Sequence, residues 1–461
     1  MEGKHMNYST YVKEHIDDML DALKALIRIP SVLENYNPSD KDEPFGKAIN
    51  KALHAMLERA ENDGFETENV EAHAGHIEWG EGEEVLGILT HLDVVPANTG
   101  EWSHPPFEPY IKDGKVYGRG SMDDKGPTIA AYFAMKFLRE LGVDPAKRVR
   151  LIMGTDEETA WRGIGRYFEK ETMPTAGFSP DAEFPVIHAE KGIFSFDLMG
   201  PHKEGPLKSF EAGERYNVVP DHAEAVVDLD LEEAFSMYLE ANVLRGRVEG
   251  NTYIVEGRSA HAMSPEKGNN AAYHLATFLS KHIDAPFLAL VSDLLAFDHL
   301  GKKLGIALYD ETLKNLSMNA AVFKYGEEGA RIGVNCRFPT GFSEQEAQKS
   351  IEQAVSPYGF TYAHKTTVPL HHVPADDPLV ETLMECYGEV TDDKTSKPIT
   401  IGGGTYARAL DKGVAFGIVM PGREDVAHQV DEHIFIDDLI QATVIYMHAI
   451  ERLTKDNVSL K

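Results

Sequence analysis

Acidic and imidazole side chains gather in three short stretches of this 461-residue chain, each beside an apolar run or a tight turn. The run Val85-Leu86-Gly87-Ile88-Leu89-Thr90 leads into His91-Leu92-Asp93. A strand alternates its side chains with a period of two, so His91 and Asp93 point to the same side. A carboxylate placed there can accept the second ring N–H of a metal-bound histidine and fix its tautomer. In Gly118-Arg119-Gly120-Ser121-Met122-Asp123-Asp124-Lys125-Gly126, two adjacent acids follow a glycine-tightened turn. Asp123 has two carboxylate oxygens and could bridge two cations. The run Arg148–Gly154 ends in Thr155-Asp156-Glu157-Glu158. Glu157 and Glu158 are neighbours, and like charges so close need a cation or a proton between them. One can bind a metal while the other acts as general base on water. Metal-assisted hydrolysis is the chemistry such a set can perform.

These residues have to be brought to one place, and the surrounding pattern predicts how. Strand ends carrying His, Asp and Glu at one edge of a sheet are what an α/β enzyme uses to bind ligands. Val12, Ile16, Met19, Leu20, Leu23 and Ile27 recur at helical spacing, and Pro30 ends this first helix. Ile49, Leu53, Met56, Leu57 and Ala60 line a second helix that stops at Gly64. Asn98–Pro109 is too proline-rich for regular structure. After Gly126, Pro127 suits a first helical turn, and Ile129, Phe133, Phe137 and Leu141 share one face. The alternation is that of an α/β layer.

The character changes near Pro185. Short strands such as Ala223–Leu231 and Thr252–Glu256 then mix with helices such as Ala271–Ile283. The strand Val414–Met420 and the helix Asp437–Leu453 resume the first style. The expectation is therefore a catalytic domain in two parts, residues 1–185 and 374–461, with an α+β lid domain inserted over 186–373. The length suits two domains. A formal net charge of -30 argues against nucleic acid or an anionic membrane as partner. Cys336 and Cys386 are not paired by their spacing, which favours reduced thiols and a cytoplasmic location. No membrane span or signal peptide is visible. Met1–Met6 reads in part as a cloning remnant and receives no structural role.

His91-x-Asp93, the Gly118–Gly126 stretch and Asp156-Glu157-Glu158 together resemble the M20 family of metallopeptidases. Ser179-Pro180-Asp181-Ala182-Glu183-Phe184-Pro185, followed by Glu190-Lys191-Gly192, narrows the resemblance to the dipeptidase V (PepV-like) branch. It runs nearly the whole chain. It implies a mixed-sheet zinc-peptidase catalytic domain with two Zn²⁺, for which Mn²⁺ is a possible substitute. Carried over position by position, His91 and Asp181 hold one metal, Glu158 and His428 the other, and Asp123 bridges both. Glu157 matches the general base and Asp93 the partner of a metal-bound histidine. On the lid, Asn217 in Asn217-Val218-Val219-Pro220-Asp221 and His261 in Ser259-Ala260-His261-Ala262 match substrate-binding and oxyanion-polarising residues. Arg337 resembles the clamp on a substrate's C-terminal carboxylate, and Gly402, Gly403, Gly404 and Thr405 the loop lining that pocket. Ser121-Met122 stands where relatives vary, and Trp161 has no counterpart role.

The implied activity is hydrolysis of dipeptides with free amino and carboxyl termini, with closure of the lid assembling the site. Two other readings compete with it. One is an N-acyl amino-acid amidohydrolase or carboxypeptidase of the same family. The other is a metal-binding scaffold without catalysis, against which every catalytic position is intact. The inserted segment is long enough for two lobes, and the branch it resembles uses the extra lobe in place of a partner's lid. A monomer is therefore expected. The competing possibility is a dimer through an exposed apolar lid edge, with Thr252–Glu256 as a candidate strand.

Overall fold

The computed structural model describes Asn7–Lys461; the opening Met1–Met6 lies outside the described residues. It is an α/β protein with mixed sheets, the class expected from the sequence. Two compact units divide the chain. One runs to His188 and takes in His372–Ile399 and Thr405–Lys461, and the other comprises Ala189–His371 with Thr400–Gly404.

In the first unit the strands β1 (Glu66–Val70), β2 (Ala74–Trp79), β3 (Val85–His91), β4 (Arg148–Gly154) and β5 (Ala176–Ser179) lie in the order β1-β2-β4-β3-β5. β3 runs parallel to both β4 and β5, whereas β2 is antiparallel to β4. β3 is buried along its whole length, as its unbroken apolar run requires of a central parallel strand. Register places His91 opposite Gly154, so both strands deliver their acidic sequels at the same edge. Helix α1 (Lys125–Glu140) buries Ile129, Phe133 and Phe137 in the core beneath that sheet. It packs on the closing helix α2 (Ile436–Leu453).

Two elements differ from the sequence pattern. The first amphipathic stretch is two helices, Tyr8–Glu14 and Ile16–Ile27, broken at His15, whose ring Nδ1 bonds the Tyr11 carbonyl oxygen at 2.8 Å. The apolar run 414–420 is likewise two short strands, Gly413–Ala415 and Ile418–Val419. Gly417, at φ +89° between them, turns the chain through a conformation closed to other residues.

The second unit is built on an eight-stranded antiparallel sheet. Its central hairpin is β6 (Ser317–Gly326) and β7 (Gly329–Phe338), and helix Ala271–Leu279 covers one face. Thr252–Glu256 is an internal strand, paired on both sides, and not an edge. The edge on that side is Arg245–Glu249, whose alternating charges oppose pairing with another chain, and the opposite edge is Thr361–Val368. Thr400–Gly404, beyond the expected boundary, group with this unit: Gly402 lies against Met263, and its carbonyl accepts from Arg337. Among the described residues no helix is long and apolar enough to cross a membrane.

Candidate metal centre

At the carboxyl edge of β3, β4 and β5, the sequence-separated acids and histidines of the first unit converge. His91, fully buried, places Nε2 at 3.0 Å from Asp123 Oδ1, 3.5 Å from Asp181 Oδ2 and 4.0 Å from Glu157 Oε2. His428 Nε2 lies 2.9 Å from Asp123 Oδ2 and 3.0 Å from Glu158 Oε1. The two oxygens of Asp123 therefore face two different histidines. Two overlapping groups, His91–Asp123–Glu158 and His91–Glu157–Asp181, have ligating atoms close enough to share a cation.

The donor set suits a metal on its own terms. His91 Nε2 and Asp123 Oδ1 are buried and lie together, yet neither has a hydrogen-bond partner among the described residues. An imidazole nitrogen facing a carboxylate oxygen without a bond between them is the arrangement of two ligands to one ion. The other ring nitrogen, Nδ1, is 3.0 Å from the Asp93 carbonyl oxygen, which fixes it as the N–H side and leaves Nε2 as the donor lone pair. Burial pulls the His91 pKa down, but the carboxylates of Asp123, Asp181 and Asp93 outweigh it and hold it well above the usual value. A cation and a proton compete for that nitrogen.

Asp93 does more than face the His91 ring. Its carboxylate is 3.5 Å from the His91 ring, and its two oxygens accept the backbone N–H groups of Glu157 and Glu158, both at 3.1 Å. Each of these oxygens keeps a further lone pair, so the acid stays beside the His91 ring while it holds the amides. The effect is to pin the two glutamates beside the histidine. Glu157 then receives a bond from Trp161 Nε1 at 3.1 Å. Burial, then the neighbouring acids, pushes the Glu157 pKa up to about 8 despite the pull of His91. Burial also raises Glu158 and Asp181. His428 is held up to about 10 by its bonds to Asp123 and Glu158.

Several supporting residues were not singled out by sequence pattern. Buried Glu432 accepts from the backbone N–H of Met122 and Asp123, at 2.8 and 3.1 Å, and from Arg119 at 2.6 Å. Arg119 in turn donates to the His428 and Gln429 carbonyls, both at 3.3 Å. This pair ties the Asp123 loop to the His428 loop. Asp124 accepts the His91 backbone N–H at 2.9 Å, and burial holds its own pKa well above the carboxylate range. Tyr406 sets its ring edge-on to His91 and Trp161, with centroids 5.8 and 5.1 Å apart. A side chain at Gly154 would place Cβ 2.1 Å from the Tyr406 hydroxyl, so the strand has to end in glycine there. The only sequence signal was proximity: Arg119, Asp124 and Glu432 all sit inside motifs that carry proposed ligands.

Of the remaining candidates, Thr405 belongs to the first unit, and Asn217, His261, Arg337, Gly402, Gly403 and Gly404 to the second. There the Asn217 carbonyl accepts from Ala262 N–H at 2.9 Å, and Val218 bridges to His261. The Met263 N–H donates to His261 Nδ1 at 3.1 Å, which puts the proton of the neutral ring on Nε2. Burial, then Arg337, lowers the His261 pKa. Arg337 bonds Asn335 Oδ1 at 3.0 Å and the Gly402 carbonyl at 3.4 Å.

A mixed sheet with a carboxylate–histidine cluster beyond its parallel strand ends defines a metal-binding hydrolase architecture. The chain belongs to peptidase family M20/M25/M40, whose model matches residues 87–452, and it is a peptide hydrolase. It is 43% identical over 463 residues to a Staphylococcus aureus (strain MRSA252) protein named putative dipeptidase, covering 96% of this chain and 98% of that one. Its fold is similar to that of human carnosine dipeptidase 1, with a TM-score of 0.58 at 16% identity over 97% of this chain and 98% of the other. It is also similar to a dinuclear metal-binding M20 peptidase of Bacillus subtilis, with a TM-score of 0.52 at 12% identity over 96% and 99%.

Proposed function

We propose that this protein is a dipeptidase of the dipeptidase V (PepV-like) branch, hydrolysing dipeptides with free amino and carboxyl termini at a dinuclear zinc centre. The observation that carries this reading is Asp123, with Oδ1 at His91 and Oδ2 at His428. One carboxylate facing two imidazoles suits a bridge between two ions, with Asp181 completing the His91 side and Glu158 the His428 side. The dipeptidase names of the curated relatives support this substrate class over an N-acyl amidohydrolase or carboxypeptidase. Intact ligand positions weigh against a non-catalytic scaffold. Free, buried Cys336 and Cys386 support a cytoplasmic setting.

Metal ions bound there supply Lewis acidity to water and to the scissile carbonyl. Glu157 accepts the proton of the attacking water and returns it to the leaving amine, the work of a general base placed beside the ligands. Trp161 and the Asp93-bound amides fix its direction. His261, neutral with its proton on Nε2, donates to the oxyanion. Arg337 and the Gly402–Thr405 loop receive the C-terminal carboxylate, which a guanidinium suits, and Asn217 contacts the substrate beside His261. His261 acts within its own chain, and the protein is a monomer.

The test is a dipeptide panel run on metal-analysed protein, with each free peptide paired to its N-acetylated form. Chelation is expected to abolish activity and Zn²⁺ or Mn²⁺ to restore it, with free peptides preferred. Full activity after verified metal loss, or preference for acetylated peptides, overturns the reading.

A further inference from the structure

A cavity of about 680 Å³ opens within the second unit, a size typical of small-ligand sites. Lys191, Lys302, Lys303 and Lys314 line it, against two acids, Glu266 and Asp298. Asp298 keeps its charge while it accepts the backbone N–H groups of Leu300 and Lys303 at 3.2 and 2.7 Å, so the lysines outnumber the lining acids by two. In a chain of net charge -30, four ammonium groups around one hollow invert the local field. Lys303 and Lys314 donate to the Ala296 and Glu311 carbonyls at 3.3 and 2.7 Å, and Lys191 to that of Asn315. An ammonium has three donors, so each tether leaves donors over, and Lys314 also faces the Glu311 carboxylate at 3.8 Å.

The apolar wall is Met263 and Phe297, 40% and 53% exposed. Phe297 and Lys314 both hold left-handed backbone, φ +60° and +61°. For bulky side chains that conformation is strained and clusters at ligand clamps. A π-helical turn, Val291–Leu295, leads into Phe297, another feature frequent at functional sites. His299, which also lines the cavity, has a buried Nδ1 with no hydrogen-bond partner among the described residues.

The cavity shares its wall with residues already given a substrate role. Ser317 lines it, pairs with Arg337 across β6 and β7, and donates its hydroxyl to the carbonyl of Ala262, next to His261, at 3.4 Å. Met263 follows His261 by two residues and packs against Gly402. The Ser317–Arg337 pairing therefore puts the lysine-lined cavity next to the strand that carries the guanidinium. We propose that this cavity is the subsite for the side chain of the substrate's C-terminal residue and that it selects an acidic one, aspartate or glutamate.

The proposal rests on the dipeptidase reading, and one experiment separates the two. kcat/KM is measured for Ala-Asp against Ala-Asn and for Ala-Glu against Ala-Gln, isosteric pairs that differ in charge. The acidic member is expected to be favoured about tenfold or more, as one well-placed charged contact allows. The preference should shrink with added salt, since rim charges are screened. In Lys302→Gln/Lys303→Gln/Lys314→Gln it should fall toward one. Lys302→Glu alone, where no tether is lost, should lower it in the same direction. Hydrolysis of the neutral peptides with no acidic preference, or a preference untouched by both variants, overturns the subsite and leaves the dipeptidase reading standing. No hydrolysis of any dipeptide overturns both. If inorganic phosphate changes Ala-Asn hydrolysis in wild type but not in the triple variant, and acidic preference is absent, the cavity binds a free anion and the proposal fails.

Discussion

The two units differ in how deeply they bury most of their chemically active side chains, although His428 of the first is itself 51% exposed. In the first, His91 and Asp93 are almost wholly buried, and Glu432 ties two distant loops together. In the second, Asn217, His261, Met263 and Phe297 are exposed, and only Arg337 is sunk in its sheet. Groups that must hold a cation gain from rigidity, because a misplaced ligand costs affinity. Groups that must read a variable substrate gain from accessibility. The contrast can be broken by substitutions on either side.

The largest effect should come from the two adjacent glutamates, which share one turn and have different partners. Glu157 is bonded by Trp161, and Glu158 by His428. Glu157→Ala is expected to keep its metal and lose about 10²–10⁴ in kcat, as loss of a general base does. Glu158→Ala should lose both activity and metal, read by metal analysis of the same samples. Normal metal in Glu158→Ala with depleted metal in Glu157→Ala would reverse the pair.

Next in size is the second unit. His261→Ala should lower kcat by about 10²-fold or more, as removing an oxyanion donor does, with metal content unchanged. Mixing His261→Ala with Glu157→Ala chains should recover nothing on the proposal that each chain uses its own histidine. Recovery would show the histidine acting across subunits and would end the monomer assignment.

Glu432→Gln follows. It retains the shape but removes the charge that Arg119 and two backbone amides use. Outer partners of ligands typically contribute 10–100-fold in metal affinity, and a loss of about tenfold is expected from metal competition. Unchanged affinity would mean that the first unit's rigidity is not what holds the ions.

How much of this could be read from the chain alone follows from the range of the interactions. The apolar runs of β3 and β4 and the acids that end them are local patterns, so the α/β class and the place of His91 and Glu157 were legible. The Arg119–Glu432 pair spans more than three hundred positions, and nothing near either residue announces the other. Trp161 had no role until its N–H was seen at Glu157. The lysine-lined cavity draws on separate segments from Lys191 to Ser317, and apart from Glu190-Lys191-Gly192 the segments that bring its lysines have no motif of their own. Even local patterns failed where the backbone decided: a helical period carried through His15 and an apolar run carried through Gly417, yet both elements break there.

The smallest expected effect is on stability, and it asks whether the first unit's rigidity depends on keeping buried groups uncharged away from the cluster. His76 sits on β2 opposite Ile152 of β4, with Nδ1 at 2.9 Å from the Tyr167 hydroxyl. Burial, then the Arg150 guanidinium, pulls its pKa down to about 4. In the unfolded chain it titrates near the ordinary value of about 6.5. Its folded pKa is the lower one, so the folded state refuses a proton that the unfolded state accepts. The contribution is complete above about pH 6.5, declines as pH falls toward 4 and levels off below that. At pH 5 the loss should be about 2 kcal/mol relative to neutral pH. His76→Gln cannot take up that proton, and the carboxylates titrate in both backgrounds, so the difference between the two chains isolates the histidine. Urea unfolding at pH 7 and pH 5 reads it directly. Wild type should lose about 2 kcal/mol more than the variant between the two pH values. Equal losses would mean that His76 accepts its proton in the folded sheet, and that the first unit is less closed to charge than the buried carboxylate–histidine cluster suggests.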